Sequence, residues 1–280
     1  MVVEFTKMHG LGNDLVVIDG ISQDVSLSSD RIQSLSDRHF GIGFDQLLLV
    51  EPPSEPGVDF DYRIYNADGT EVEHCGNGTR CFANFVHAKG LTRKNPIKVK
   101  TSNRILSLHR HDDLTVSVDM GAPELVPESI PFHADHQATV YSRCLEISGE
   151  EVRVDFSALS MGNPHAVLIV EDLAMSAVKD IGEALGNHPD FPAGVNVGFM
   201  QIHTRDAVGL RVYERGVGET LACGTGACAA VVAGRLQGVL DARVTVELPG
   251  GLLTVSWQQD SSSVVMTGPT ATVFEGIFHL

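Results

Sequence analysis

Arg63-Ile64-Tyr65 followed by Cys75-Gly76-Asn77-Gly78 returns later in the same chain as Arg211-Val212-Tyr213 followed by Cys223-Gly224-Thr225-Gly226. Every matched residue is displaced by 148 positions. Gly90 and Gly238 extend the match, each fifteen residues beyond its cysteine. Looser pairs surround this core. Gly12-Asn13-Asp14 before the apolar run Leu15 to Ile18 matches Gly162-Asn163-Pro164-His165 before Ala166 to Val170. Gly43 with Leu47 to Val50 matches Gly194 with Val195, Val197 and Phe199. Ile32 and Leu35 ahead of Gly41 match Ile181 and Leu185 ahead of Gly186. Both of these read as short helices closed by a glycine cap. Matches in one order at a nearly constant offset mean two homologous halves.

The chain has 280 residues, room for two domains of the usual size. The Pro-containing stretch Gly121 to Pro131 reads as the boundary. In the first half, strands are expected at Val2–Phe5, Leu15–Ile18, Leu47–Val50, Phe60–Tyr65, Ile97–Thr101, Ile105–His109 and Thr115–Met120. A helix is expected from Gly78 to Lys89, with Phe82, Phe85 and Val86 on one face. The second half repeats the theme at Ala166–Val170, Gly209–Tyr213, Arg243–Leu248, Leu252–Trp257 and Ser263–Thr267, with a helix from Thr225 to Gln237. That helix is apolar on all sides, so it must be covered all round. A curved antiparallel sheet wrapped around it meets that need.

Apolar residues make up 43 % of the chain, enough for a folded core. Acidic residues outnumber basic ones, 36 to 20, and no Lys/Arg cluster stands out. Nucleic acid and anionic membrane are therefore not the expected partners. The start, MVVEFTKMHG, has neither a basic nor an apolar leader segment, and no apolar run is long enough to span a bilayer. With an odd count of five cysteines, the expected setting is reducing and cytoplasmic, with free thiols.

Cys75 and Cys223 each fall between a strand and a helix, before glycines that let backbone amides approach a ligand. A helix N-terminus carries unpaired N–H groups and partial positive charge. A thiolate is favoured there, and a carboxylate can be held there. One cysteine per duplicated domain can place two thiols face to face across an interdomain cleft. A cofactor-free racemase or epimerase needs that: one base to take a proton from a carbon and one acid to return it from the other side. Cys81, Cys228 and Cys144 read as small buried hydrophobes. The spacings of Cys75 to Cys81 and Cys223 to Cys228 do not suit zinc, so no metal is expected.

The segments Met8 to Asp14, Asn66-Ala67-Asp68-Gly69, Cys75 to Cys81, Gly162 to His165, Asn196-Val197 and Tyr213 to Gly226 together resemble the diaminopimelate epimerase family. The resemblance implies an α/β (α+β) fold of two pseudo-symmetric domains, each a barrel-like, mostly antiparallel sheet around a central helix. It implies domains at 1–121 plus 269–280 and at 122–268, the last strand returning to the first. The implied activity is epimerisation of LL- to meso-2,6-diaminopimelate without pyridoxal or any other cofactor, in lysine and peptidoglycan-precursor biosynthesis. Cys75 and Cys223 would be the acid–base pair, with His165 and Glu214 as helpers that keep a thiol ionised. Substrate binding would fall to Asn13, Gln46, Asn66, Gly76, Asn77, Asn163, Asn196, Glu214, Arg215, Gly224 and Thr225. Adjacent Glu214 and Arg215 carry charges that match the ammonium and carboxylate at the end of the substrate that is not inverted. A small-molecule substrate and a homodimer are implied as partners.

Other readings compete at this point. A proline or hydroxyproline racemase would share the paired cysteines but have little use for Glu214-Arg215 and the asparagines. A phenazine-biosynthesis isomerase lacks the two catalytic cysteines, so Cys75 and Cys223 argue against it. A non-catalytic metal-binding or redox-sensing thiol protein would use them differently.

Overall fold

The computed structural model describes residues 2–72, 76–102, 104–259 and 262–280. The chain divides into two units, Met1–Asp119 with Thr267–Leu280, and Met120–Met266. In the first, β1 (Val2–Gly10) runs antiparallel to β2 (Asn13–Asp19), and β2 runs parallel to β3 (Gln46–Glu51). β3 is antiparallel to β4 (Phe60–Asn66), which also pairs with the short β5 (Glu71–Val72) and, in parallel, with β6 (Ile97–Lys100). β7 (Ile105–Arg110) and β8 (Val116–Asp119) close the series antiparallel. Each parallel pair needs a crossover. Helix α1 (Ser29–Ser36) lies between β2 and β3, and α2 (Gly76–Ala88) between β5 and β6.

The second unit repeats this plan. β9 (Tyr141–Ile147) pairs with β10 (Glu150–Ser160), and β10 with β11 (Pro164–Val170). Helix α3 (Val178–Gly186) leads to β12 (Asn196–Thr204), parallel to β11, and then to β13 (Ala207–Glu214). β14 (Gly218–Thr220), helix α4 (Gly224–Leu236), β15 (Arg243–Leu248), β16 (Gly251–Ser256) and β17 (Val265–Gly268) follow. β13 pairs antiparallel with β14 and parallel with β15, as β4 does with β5 and β6. The chain ends in β18 (Ala271–His279), antiparallel to β1 from Val2↔His279 to His9↔Ala271. β18 serves β1 as β9 serves β10.

Both central helices are nearly sealed. α2 touches β1, β2, β3, β7 and β8, and α4 touches β10, β11, β12, β13 and β16. This explains why strands meant for a half-exposed sheet read as continuous apolar runs. Val16, Ile18, Leu47 and Leu49 pack with Ile32 and Leu35 of α1 in one cluster. Alternation turns Leu15, Val17, Leu48 and Val50 to the other face, and all four are buried as well. Burying such a side chain stabilises the fold by roughly 1.5–3 kcal/mol.

The helix ends depart from the reading above. Both Gly90 and Gly238 adopt left-handed φ, 69° and 74°, and cap their helices alike. Leu91 N donates to Val86 O, and Val239 N to Gly234 O. Gly41 and Gly186 are not caps: α1 stops at Asp37, and α3 runs through Gly186 to Asn187. Gly41 instead lies against the end of α1, where a Cβ would stand 2.5 Å from the carbonyls of Ser34 and Leu35. Cys144 also departs: it is exposed on β9, because alternation there turns Leu145, not Cys144, into the core.

Candidate functional site

In the second unit, β13 ends at Glu214 and turns through Gly216 into β14, which ends at Thr220. The register Val212↔Thr220 brings Thr220 back beside the strand end. Cys223 then caps α4 in an extended conformation, with φ −120°. Its Sγ donates to Glu214 Oε2 at 3.3 Å and lies 3.7 Å from Thr225 Oγ1. Thr220 Oγ1 donates to the other carboxylate oxygen, Oε1, at 2.5 Å. Gly226 makes the close packing possible, since a Cβ there would stand 3.2 Å from the sulfur and 3.0 Å from Val212.

Cys223 is 4 % exposed. Burial pushes its thiol well above the usual range, and the neighbouring Glu214 charge adds to this. Thr225 and the Gly226 amide act the other way and do not prevail. The expectation of a thiolate at this helix end is therefore corrected for Cys223. The sulfur keeps its proton because desolvation and a facing carboxylate outweigh the helix N-terminus.

A second group forms around the start of β11 and β12. His165 is 1 % exposed and donates from Nε2 to Asn163 Oδ1 at 3.1 Å. Burial lowers its pKa to about 3, aided by the Arg215 charge, so the ring is neutral. Asn196 lies opposite His165 in the parallel ladder. Its Nδ2 donates to Pro164 O, and its Oδ1 accepts from the Arg215 backbone N–H at 2.9 Å. The Arg215 guanidinium donates to Ala193 O. Glu214 and Arg215 thus diverge, one to the thiol and the other toward Asn196 and His165. The hydrogen bond of His165 goes to Asn163 and that of Cys223 to Glu214, so these helpers belong to different groups.

Cys75 and His74 lie outside the described residues. In the first unit, Asn13, Asn77 and Arg80 form a chain of side-chain hydrogen bonds. Asn13 Nδ2 donates to Asp45 Oδ2, Asn77 Nδ2 to Asn13 Oδ1, and Arg80 Nη2 to Asn77 Oδ1 at 2.7 Å. Arg80 is fully buried and also reaches the Gly76 carbonyl. Arg38 holds both Asp14 and Asp45, and Lys7 pairs with Asp14. Burial alone would raise the Asp14 pKa, but hydrogen bonds from Arg38 and Lys7 hold its carboxyl well below the usual range. Gln46 faces Asn66 across β3 and β4 and donates to it at 3.3 Å. Gln46 Oε1 is buried and accepts no hydrogen bond from the described residues.

The residue motifs did not assign roles to Thr220, Asp45 or Arg80. Thr220 and Arg80 stand inside the quoted motifs, and Asp45 immediately precedes Gln46. Their partners follow from strand register and helix packing, which spacing alone does not reveal. Among the described residues, no three His, Cys, Asp or Glu side chains gather as metal ligands would.

The family model described as diaminopimelate epimerase matches residues 5–126 and 157–273. Among solved structures, a phenazine biosynthesis protein of the PhzF family from Bacillus anthracis matches with TM-score 0.71 at 14 % identity, covering 100 % of both chains. A hydroxyproline epimerase from Agrobacterium vitis, with bound trans-4-hydroxy-L-proline, matches with TM-score 0.69 at 16 % identity, over 99 % of this chain and 92 % of that one. A probable proline racemase from Agrobacterium radiobacter matches with TM-score 0.71 at 15 % identity, over the same shares. At such identities the likeness shows a common fold of mixed sheets and helices.

Proposed function

The chain belongs to the diaminopimelate epimerase family, and from that premise we propose that it interconverts LL- and meso-2,6-diaminopimelate. It does so without a cofactor, at the step that serves lysine and peptidoglycan-precursor synthesis. Membership of that family makes it an enzyme of the epimerase type. The observation that carries the finer reading is the Cys223–Glu214 contact at the start of α4.

Cys223 rests with its proton, so it is ready to act as the acid that protonates a carbanion. To act as base it must first lose that proton, and Glu214 Oε2 is within reach to take it. The thiolate then removes the α-proton and becomes a thiol again. Cys75 delivers a proton to the opposite face of the same carbon, and the roles reverse for the other stereoisomer. Backbone N–H groups at the helix start, near Gly224 and Thr225, stabilise the developing charge. Gly76 and Asn77 take the same part in the first half.

The binding residues suit a substrate with two amino-acid ends. Gln46 Oε1, a buried acceptor open to a donor, suits an ammonium group. Arg215 suits a carboxylate, and Asn13, Asn66, Asn163 and Asn196 supply neutral hydrogen bonds that read chirality. A proline-type substrate would leave much of this set unused. We also infer a homodimer in a reducing, cytoplasmic setting. No helix among the described residues is long and apolar enough to cross a membrane, which says nothing of spans made by strands.

Proton NMR of the reduced protein in D2O tests the reading, with LL-diaminopimelate, proline and hydroxyproline in parallel. Loss of the α-proton signal and appearance of the meso isomer with diaminopimelate alone is expected. Exchange with the cyclic amino acids alone would overturn the substrate and keep the chemistry.

A further inference from the structure

Glu214 has two carboxylate oxygens, and among the described residues each has one hydrogen-bond partner. Oε2 faces the Cys223 sulfur, and Oε1 accepts from Thr220 Oγ1. The Thr220 side chain is delivered by β14, whose register with β13 places residue 220 opposite Val212. Glu214 itself is the last residue of β13, at a turn, where backbone pairing alone does not fix a long side chain. We propose that Thr220 is a positioning residue, whose hydroxyl locks the Glu214 carboxylate so that one oxygen faces the reacting thiol. This rests on the two-thiol reading above.

A Glu side chain has three rotatable bonds, and a single contact to a thiol leaves the carboxylate free to swing. A second donor on the other oxygen fixes both the tilt and the distance. A hydrogen bond to a charged group is among the stronger ones available. The charged group facing Cys223 is Glu214 from β13, while α4 contributes the Thr225 hydroxyl and the Gly226 amide. Releasing Glu214 therefore changes what the sulfur feels, although the hydrogen bonds of the sulfur among the described residues go to Glu214 and Thr225 and not to Thr220.

Thr220→Val removes the hydroxyl and keeps the β-branched shape, and Thr220→Ser keeps the hydroxyl. Two readouts separate positioning from mere structure. The first is steady-state turnover of diaminopimelate. T220V is expected to lower kcat about tenfold or more with KM within about twofold, while T220S stays within about threefold of the unaltered enzyme.

The second readout needs no substrate. The pH dependence of iodoacetamide modification at Cys223 is followed by fragment-ion mass spectrometry, which separates it from Cys228 on the same tryptic peptide. In T220V the profile is expected to move to lower pH, in the direction also expected of Glu214→Gln, and in T220S to stay in place. If T220V does not fold, Thr220→Ala reads the same loss. T220S behaving like T220V, or an unshifted Cys223 profile in T220V, would overturn the proposal. If the unaltered enzyme turns over no substrate, the epimerase reading fails, and the modification profile still decides whether Thr220 governs the thiol's surroundings.

Discussion

The two halves share a scaffold and differ in the polar groups it carries. Arg63 grips Glu71 through two hydrogen bonds, and 148 residues later Arg211 grips Glu219 in the same way. Gly90 and Gly238 close equivalent helices with equivalent backbone. At the end of the equivalent strands, however, Asn66 stands in one half and Glu214 in the other. Five residues past each cysteine, the first half has buried Arg80 and the second has buried Cys228. Where the second half has His165 against Asn196, the first has Leu15 against Gln46. Duplication kept what shapes the chain and changed the charge around each helix start. One half thus carries a buried cation and amides, the other a carboxylate and a neutral imidazole.

The most damaging change to the comparison is Glu214→Gln, which gives the second half an amide like that of the first. We expect kcat to fall by about 10²–10⁴-fold, the range for losing a positioned proton-transfer group. Retained turnover would mean that the carboxylate is scaffold and not chemistry. In the first half, Arg80→Met removes the guanidinium hydrogen bonds to the Gly76 carbonyl and the Asn77 side-chain oxygen. Urea denaturation should show a loss of about 1–3 kcal/mol.

A pH titration of stability sharpens the contrast further. His165 has its folded pKa lowered to about 3, against an ordinary value of 6.5. Between those values the unfolded chain binds the extra proton. Stability contributed by the neutral ring is therefore full above pH 6.5 and falls as pH drops, by up to about 1.4 kcal/mol per pH unit. His165→Asn should flatten that slope. The first half has Leu15 at this position, a side chain that cannot titrate. Its own acid signature lies lower: Asp14, held ionised by Arg38 and Lys7, loses its contribution as pH falls below the ordinary carboxylate range. The smallest effects are expected at the shared pairs. Arg63→Gln and Arg211→Gln should each cost less than about 1 kcal/mol, because both pairs are partly solvated. A large difference between them would show that these pairs are not equivalent.

Much of the fold is legible in the residues because local pattern and global packing agree. The constant offset reveals the two halves, and the apolar helix around Ala227 to Ala233 demands its sheet. The runs Leu15 to Ile18 and Leu47 to Val50 already signal strands covered on both faces. The β9–β10 hairpin was not among the expected strands, although Ser148-Gly149, both at positive φ, joins alternating Leu145 and Ile147 to Val152 and Val154. Exposed acidic residues on the outer face dilute that pattern. At Gly41 and Gly186, close approach and helix continuation, not a left-handed cap, explain the glycine. At the site, motifs point to the residue types, while the partners come from register. Thr220 meets Glu214 through β13–β14 pairing, and burial reverses the expected ionisation of Cys223.

The most direct test of the two-thiol mechanism compares Cys75→Ala and Cys223→Ala with the unaltered enzyme, each given LL- and meso-diaminopimelate in D2O and followed by proton NMR. Either substitution alone is expected to abolish interconversion of the stereoisomers while the protein still folds. Turnover near the unaltered rate in either variant would contradict the mechanism, because one half would then suffice for both proton transfers.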